Sequence, residues 1–431
     1  MRILLLGLGR ANLSVARYCL ERKDEVFLFE EHPDTMSSNA RELLENGTIK
    51  NHQNGDYDLI VSSPGFPVHK GIIIEYQARN TPIIDEIEFT FQQLKDPAII
   101  AVTGTNGKST TAALIHTILT TAGLDCFLGG NLAPGKPFSQ ALFEPEHTYY
   151  VLEVSSFQLM RIRTFRPRIA VLTNISKDHL NWHASIEEYH SAKRAIFRNQ
   201  ISDDRAVLNH DDVVVRDLAR DIKATQIYFG RSALNGAHCN GTFRFGSEAL
   251  FPCGVVGLPG EHNIMNILAA IAVSKILDID TPSLKRGISM FKPLPHRLED
   301  CGMKEGIRYI NNSMCTNEQA AIASFMAIPG SKIVIVGGKE KGDTAFAYLE
   351  LLAKQAKACV IMGENASSIK KYFDRIGYRR YAVAADMTQA IQIARSYAEK
   401  GDAIMLNPGY ASFGLFKDFE ERGEAFRHAA C

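Results

Sequence analysis

A chain of 431 residues is too long for one hydrophobic core, and at about 100–200 residues per domain it divides into two to four. Lys plus Arg and Asp plus Glu stand at 48 each, so no overall basic field exists to draw in nucleic acid. The eight cysteines are scattered with no Cys-x-x-Cys pair, which speaks against a disulfide framework or a zinc site and for a reducing, cytoplasmic setting.

Ile3-Leu4-Leu5-Leu6 is apolar but is cut short by Gly7 and Arg10, so it reads as a first strand and not a signal peptide. Nothing else approaches the apolar length of a membrane span. The strand runs into Gly7-Leu8-Gly9-Arg10-Ala11-Asn12 and a helix, and Val26-Phe27-Leu28-Phe29 closes on Glu30 and Glu31. That is nearly the dinucleotide fingerprint with its acid about 20 residues on, but Asn12 stands where the third glycine belongs. A tight strand-to-helix turn explains the same glycines. Asp58 to Gly65 is another strand-to-loop exit, and Ile83-Ile84-Asp85-Glu86 leads into a short amphipathic helix carrying Ile87, Phe89, Phe91 and Leu94. A boundary falls near Asp96 and Pro97.

Next comes the most informative stretch, residues 98–110. Ala98-Ile99-Ile100-Ala101-Val102 reads as a buried parallel strand, and Thr103-Gly104-Thr105-Asn106-Gly107-Lys108-Ser109-Thr110 as a glycine turn opening a helix. Small residues let backbone N–H groups turn inward, and the helix N-terminus adds partial positive charge. Lys108 supplies a full charge for the outer phosphates, and the Ser109 hydroxyl can sit on Mg²⁺. Val102 occupies a position where the strict P-loop pattern has glycine. This variant predicts a nucleoside triphosphate site.

Tyr149 to Leu152 then delivers Glu153, and Ile169 to Leu172 delivers Thr173 through His179. Strand C-termini line the ligand crevice of an open parallel sheet, which makes Glu153 and His179 candidates for Mg²⁺ ligation or for contact with the acceptor. A surface carboxylate and a hydrogen-bonded loop histidine are the plain alternatives. Lys193, on composition alone, is a solvated helix lysine. Asn263 and Asn266, at i and i+3, share a helix face and could read a base edge or simply cap and pack. Lys292 to Arg297 is a stiff, proline-marked link. Beyond it, runs ending at Gly337-Gly338, Gly363 and Pro408-Gly409 are strands of a further doubly wound domain.

With these landmarks in order, the chain resembles the Mur ligase family of peptidoglycan synthesis over its full length, nearest to the branch that adds glutamate. The resemblance rests on Thr103 to Ser109, Gly129-Gly130-Asn131, Leu152 to Leu159 with its Ser-Ser-Phe-Gln run, and Asp178-His179-Leu180. It rests also on Tyr189 to Lys193, His262-Asn263 with Asn266, Leu294 to Arg297, and Ala411-Ser412 with Phe416 and Phe419. It implies an α/β protein of three domains: a Rossmann-like UDP-binding domain (1–96), a central P-loop ATP-binding domain (97–292), and a doubly wound α/β domain (293–431) closing on ATP and the incoming amino acid. Gly104, Thr105, Asn106, Gly107, Lys108, Ser109 and Thr110 would hold the ATP phosphates. Asn263 and Asn266 would meet the adenine, and Arg297 and Asn312 would also contact the nucleotide.

Ser109, Glu153, His179 and Lys193 would be metal ligands for two Mg²⁺ ions, Lys193 as a CO₂-derived carbamate, and with Lys108 they form the implied catalytic set. Gly65, Asn131, Ser155 and Gln158 would position UDP-N-acetylmuramoyl-L-alanine, and Thr316, Lys341, Ser412 and Phe419 the glutamate. A cytoplasmic monomer with small-molecule partners, and with neither membrane nor nucleic acid, is expected. The family usually has Asp and Lys where this chain has Asn312 and Met314, and Asp where it has Gly414. The rival readings are a related ligase with another acceptor and a non-catalytic nucleotide-sugar binder.

Overall fold

The computed structural model describes residues 1–33, 36–67, 70–179, 182–255, 258, 260–340 and 345–430. The chain forms two compact units, one of Met1–Ser176, Ser185–Val255 and Asn266–Met290, the other of Lys177–Ala184, Val256–Met265 and Phe291–Cys431. The first unit carries two sheets and the second carries one.

The first sheet contains β1 (Arg2–Leu6), β2 (Glu25–Phe29), β3 (Lys50–Asn51), β4 (Leu59–Ser62) and β5 (Ile83–Asp85), all parallel in the order β3-β2-β1-β4-β5. Apart from the short, exposed edge strand β3, its strands are largely apolar because both faces are covered. Ile3, Leu5, Val26 and Leu28 pack with Val15 and Cys19 of the helix Arg10–Glu21 on one face; Leu4, Leu6, Phe27 and Ile60 pack with Tyr76 on the other.

The second sheet contains β6 (Ile99–Thr103), β7 (Cys126–Gly130), β8 (Tyr149–Glu153), β9 (Ile169–Leu172), β10 (Arg205–Asn209), β11 (Thr225–Phe229), β12 (Ala237–Cys239), β13 (Thr242–Phe245) and β14 (Glu248–Pro252). The order is β14-β13-β12-β11-β10-β9-β6-β8-β7, and only the β12-β13-β14 edge is antiparallel. Register sets the level of the strand ends: Val102 stands beside Glu153, and Gly130 beside Glu153 from the other side. The ends of three neighbouring strands therefore reach one level.

That antiparallel edge also corrects an expectation. Cys239, at the end of β12, is disulfide-bonded to Cys253, just after β14, because the two turns fold a separation of 14 residues back on itself.

The third sheet contains β15 (Glu299–Lys304), β16 (Ile307–Asn311), β17 (Lys332–Val336), β18 (Ala358–Ile361), β19 (Tyr381–Val383) and β20 (Ala403–Leu406), in the order β15-β16-β20-β17-β18-β19. It is parallel except for β15. Ile333 and Ile335 face one core, Val334 and Val336 the other, the signature of a doubly wound layer. The α/β class with parallel sheets read from the sequence is the one found. No helix among the described residues is long and apolar enough to cross a membrane.

Candidate active site

The glycine turn after β6 is built for close approach. Gly104 and Gly107 both have positive φ, +148° and +83°, and a Cβ at Gly104 would collide with Thr173 Oγ1, one at Gly107 with Asn266 Oδ1. The helix Lys108–Thr121 starts directly at Gly107, so its unpaired N–H groups open onto the turn.

Two residues that sequence reasoning passed over hold the apex. Asn174 accepts from Asn106 N at 2.9 Å through its side chain and from Thr105 N at 2.9 Å through its carbonyl. Thr173 Oγ1 and Asn174 Nδ2 both donate to Asn106 O, at 2.7 and 2.9 Å. Thr105 Oγ1 adds a tie to the Tyr189 hydroxyl at 2.9 Å. The signal that could have found them is their place at a strand exit next to β6.

Within this frame Lys108 Nζ donates to Thr105 O at 2.9 Å, curling over its own loop. Ser109 Oγ donates to Glu153 Oε2, and Asn131 Nδ2 donates to Glu153 Oε1 at 2.9 Å. Glu153 is therefore a buried carboxylate gripped at both oxygens. Thr110 lies in the first turn of the helix. Asn266 Oδ1 accepts from Thr111 Oγ1 at 3.3 Å, so its amide packs against the phosphate turn.

Lys193, in the helix Ile186–Arg194, is one of the largest buried side chains, against the sequence-only reading of a solvated lysine. Its Nζ donates to Gly104 O at 2.7 Å and lies 4.8 Å from the Tyr189 ring centre. The lysine Nζ is thus delivered to the back of the phosphate turn.

Ser155 and Gln158 form a capping box around the short helix Ser156–Leu159: Gln158 N donates to Ser155 Oγ, and Ser155 N to Gln158 Oε1 at 3.0 Å. Gly65 is exposed at the loop that continues from β4.

The broken dinucleotide fingerprint has a physical explanation. Asn12 Nδ2 donates to the carbonyls of Leu6, Gly7 and Val61 at 3.2, 2.8 and 3.2 Å, filling the space a third glycine would leave. Glu30, the fingerprint's acid, accepts from Leu8 N and His32 N.

The remaining candidates belong to the second unit. His179 takes a left-handed backbone, φ +56°, and its amide donates to Asp178 Oδ1. Asn263 is buried beside His262, whose pKa is lowered first by burial and then by the Arg297 charge. Asn312 is spent inside the fold: its Oδ1 accepts from Leu298 N at 3.1 Å, and its Nδ2 donates to Asn407 Oδ1 at 2.8 Å. Ala411 and Lys339 exchange backbone bonds at 2.8 and 3.1 Å, which zips the exit of β20 to that of β17 and sets Ser412 at their junction. Thr316 precedes Asn317, the cap of the helix Glu318–Ala327, and Phe419 opens the helix Phe419–Ala430, its carbonyl accepting from Ser313 Oγ. Lys341 lies outside the described residues.

No group of three or more His, Cys, Asp and Glu able to hold a metal occurs among the described residues. The donor set at the phosphate turn nevertheless fits Mg²⁺, which takes one or two protein oxygens and completes its shell with phosphates and water. Ser109 Oγ and the Glu153 carboxylate could supply those oxygens.

These features define an α/β protein with a P-loop nucleotide site. Residues 102–274 match the Mur ligase middle domain, and residues 296–409 the glutamate ligase domain of Mur ligases. The chain is 33% identical over 440 residues to a UDP-N-acetylmuramoylalanine–D-glutamate ligase of Pelotomaculum thermopropionicum, covering 99% of this chain and 96% of that one. It is 34% identical over 437 residues to the ligase of the same name from Streptococcus sanguinis, with coverage of 99% and 96%. The crystal structure of UDP-N-acetylmuramate-alanine ligase from Thermotoga maritima superposes with a TM-score of 0.64 at 17% identity, covering 100% of this chain and 99% of that one, a likeness of fold. The chain belongs to the Mur ligase family.

Proposed function

We propose that this protein is an ATP-dependent ligase that joins D-glutamate to UDP-N-acetylmuramoyl-L-alanine, a cytoplasmic step in peptidoglycan precursor synthesis. The observation that carries the reading is the hydroxyl–carboxylate pair of Ser109 and Glu153 on a P-loop, in a chain that matches glutamate-adding relatives over 99% of its length. Residues 1–96 then hold the UDP end, 97–292 the ATP, and 293–431 supply the acceptor residues.

A carboxylate is a poor electrophile. Its oxygen attacks the γ-phosphorus of ATP and ADP leaves; the glutamate amine then adds to the acyl carbon, and phosphate leaves with the bonding pair. What the chain must supply is alignment and charge neutralisation. Lys108 and the helix N-terminus hold the phosphates, and Asn131, Ser155 and Gln158 hold the muramoyl-alanine end. Thr316, Ser412 and Lys341 present a cation and two hydroxyls to the glutamate carboxylate. Ser109 and Glu153 would hold Mg²⁺, which supplies charge neutralisation at the transferring phosphoryl group. Lys193, as a carbamate, would hold a second ion.

The test is phosphate release and ligated product from ATP and UDP-N-acetylmuramoyl-L-alanine with D-Glu, L-Glu, Gln and Ala. D-Glu should lead, and Gln should fall behind by more than tenfold, because it brings no carboxylate to pair with the Lys341 charge. Equal use of Gln and Glu overturns the carboxylate pocket; a preference for L-Glu keeps the pocket and changes the acceptor.

A further inference from the structure

Arg161 has no role in the phosphate site, yet it is 8% exposed and stands two residues beyond the helix Ser156–Leu159, which carries Gln158 and is capped by Ser155. Its Nη2 donates to Phe66 O at 2.6 Å and its Nη1 to Ser63 O at 3.5 Å. Those carbonyls flank Gly65, in the loop leaving β4 of the first sheet. Arg161 therefore runs from the second sheet to the first and grips the loop by its backbone. Among the described residues no carboxylate lies within ion-pair contact of it; the buried Asp85, at the end of β5, feels its charge from farther off.

A buried guanidinium spent on two neutral carbonyls is a costly arrangement unless holding that loop matters. Bulk adhesion between the sheets is supplied elsewhere. Glu88 accepts from the backbone N–H groups of Arg163, Thr164 and Phe165 at 2.8 Å each, and Glu86 Oε1 from Ser139 N. With those ties in place, Arg161 governs a local matter, the position of the Ser63–Phe66 loop relative to Ser155 and Gln158.

We propose that Arg161 is a positioning residue for the nucleotide-sugar substrate, latching the Ser63–Phe66 loop to the helix that carries the muramoyl-alanine contacts. The inference rests on the ligase reading above. A long substrate with its nucleotide end on the first sheet and its reacting carboxylate on the second needs the two surfaces at a fixed separation. Arg161 sets it.

The experiment compares wild type with Arg161→Met, which keeps length and apolar volume, and Arg161→Lys, which keeps the charge and one donor. In steady-state phosphate release, Arg161→Met should raise KM for UDP-N-acetylmuramoyl-L-alanine at least tenfold, leave KM for ATP and glutamate within twofold, and be partly restored in Arg161→Lys. A nucleotide-sugar KM within twofold of wild type overturns the proposal, and so does an equal rise in all three KM values. If Arg161→Met does not fold, Arg161→Gln is read by the same criteria.

Calorimetry with the nucleotide sugar alone separates the two readings. If wild type binds it but gives no ligated product when ATP and glutamate are added, the ligase reading fails, and the latch still stands or falls on a tenfold loss of affinity in the variant. Absence of binding to wild type overturns both.

Discussion

Ser109 Oγ and Asn131 Nδ2 hold opposite oxygens of one carboxylate, that of Glu153. The hydroxyl comes from the first turn of the P-loop helix and the amide from the loop after β7, so Glu153 is fixed from both neighbouring strand exits. On the ligase reading, such a carboxylate is already oriented for a cation.

Glu153→Gln keeps the shape and removes the charge. Phosphate release should drop at least about a hundredfold, the scale of losing one electrostatic partner of the transition state, while the melting temperature changes little. Lys108→Ala should cost a similar factor through KM for ATP and kcat together. A near-wild-type rate in either variant would remove the nucleotide site from the reading.

Lys193 separates packing from chemistry. Lys193→Met retains most of the apolar stem against Tyr189 but removes the bond to Gly104 O and the amine itself. Activity should be very low with the fold intact by circular dichroism. Lys193→Ala, which leaves room at the site, should recover part of its rate in high concentrations of short carboxylic acids. Full activity in both variants would make the lysine a packing residue only.

Asn312 and Asn407 form a matched pair. Asn407 Oδ1 accepts from Asn312, while its Nδ2 donates to Ala321 O and the Tyr348 hydroxyl at 2.9 and 2.8 Å. Asn312→Asp, the type usual in the family, would set a carboxylate oxygen against Asn407 Oδ1 in a buried place. The expected loss is about 1–3 kcal/mol, the cost of a broken buried hydrogen bond. Asn312→Asp with Asn407→Ser offers the new carboxylate a hydroxyl donor and should recover part of that loss. Thermal melts of the two singles and the double decide it; additive losses would show that the residues do not act as a pair.

Asp85 gives a pH signature. Burial, and then the Glu86 charge, push its pKa up to about 8 against the pull of the Ile87 amide and Arg161. The ordinary carboxyl value is 3.8. Between about pH 4 and 8 the unfolded chain has released a proton that the folded chain keeps, so stability falls as pH rises through that window. Asp85→Asn retains the acceptor for Ile87 N and removes Asp85's share of the slope, leaving that of Glu86, whose carboxyl pKa burial also pushes up. The variant should melt above wild type at pH 8 and together with it at pH 4. At about 1.4 kcal/mol per pKa unit the difference at pH 8 amounts to several kcal/mol. Equal melting at pH 8 would show that Asp85 is ionised in the fold.

Legibility in the sequence depends on where the chemistry is written. The P-loop was legible because strand, glycines, lysine and helix are contiguous, and the strands of the third sheet because Ile333 to Val336 and Ala403 to Leu406 are unbroken apolar runs. Glu88 was not. In sequence it belongs to the polar face of a short amphipathic helix, yet it is fully buried, because three backbone amides some 75 residues on, from Arg163 to Phe165, satisfy it. Lys193 was misjudged on composition for a related reason: its partner is a carbonyl 89 residues away. The antiparallel β12-β13-β14 edge escaped notice because its strands are short and compositionally mixed. Long-range satisfaction of a polar group leaves no local trace.

The pairing of β8 with β6 and β7 carries a consequence for how this chain can vary. Side chains along a strand alternate between faces, so one residue inserted or deleted between Tyr149 and Glu153 would put Leu152 or Val154 at the level of Val102 and Gly130 and turn the carboxylate away. The shift moves every side chain of the strand at once, since the register is shared by three strands. Swaps among apolar types at Tyr150 to Leu152 only repack a core, whereas a length change there erases the site at once. Length variants of this segment are therefore expected to be null.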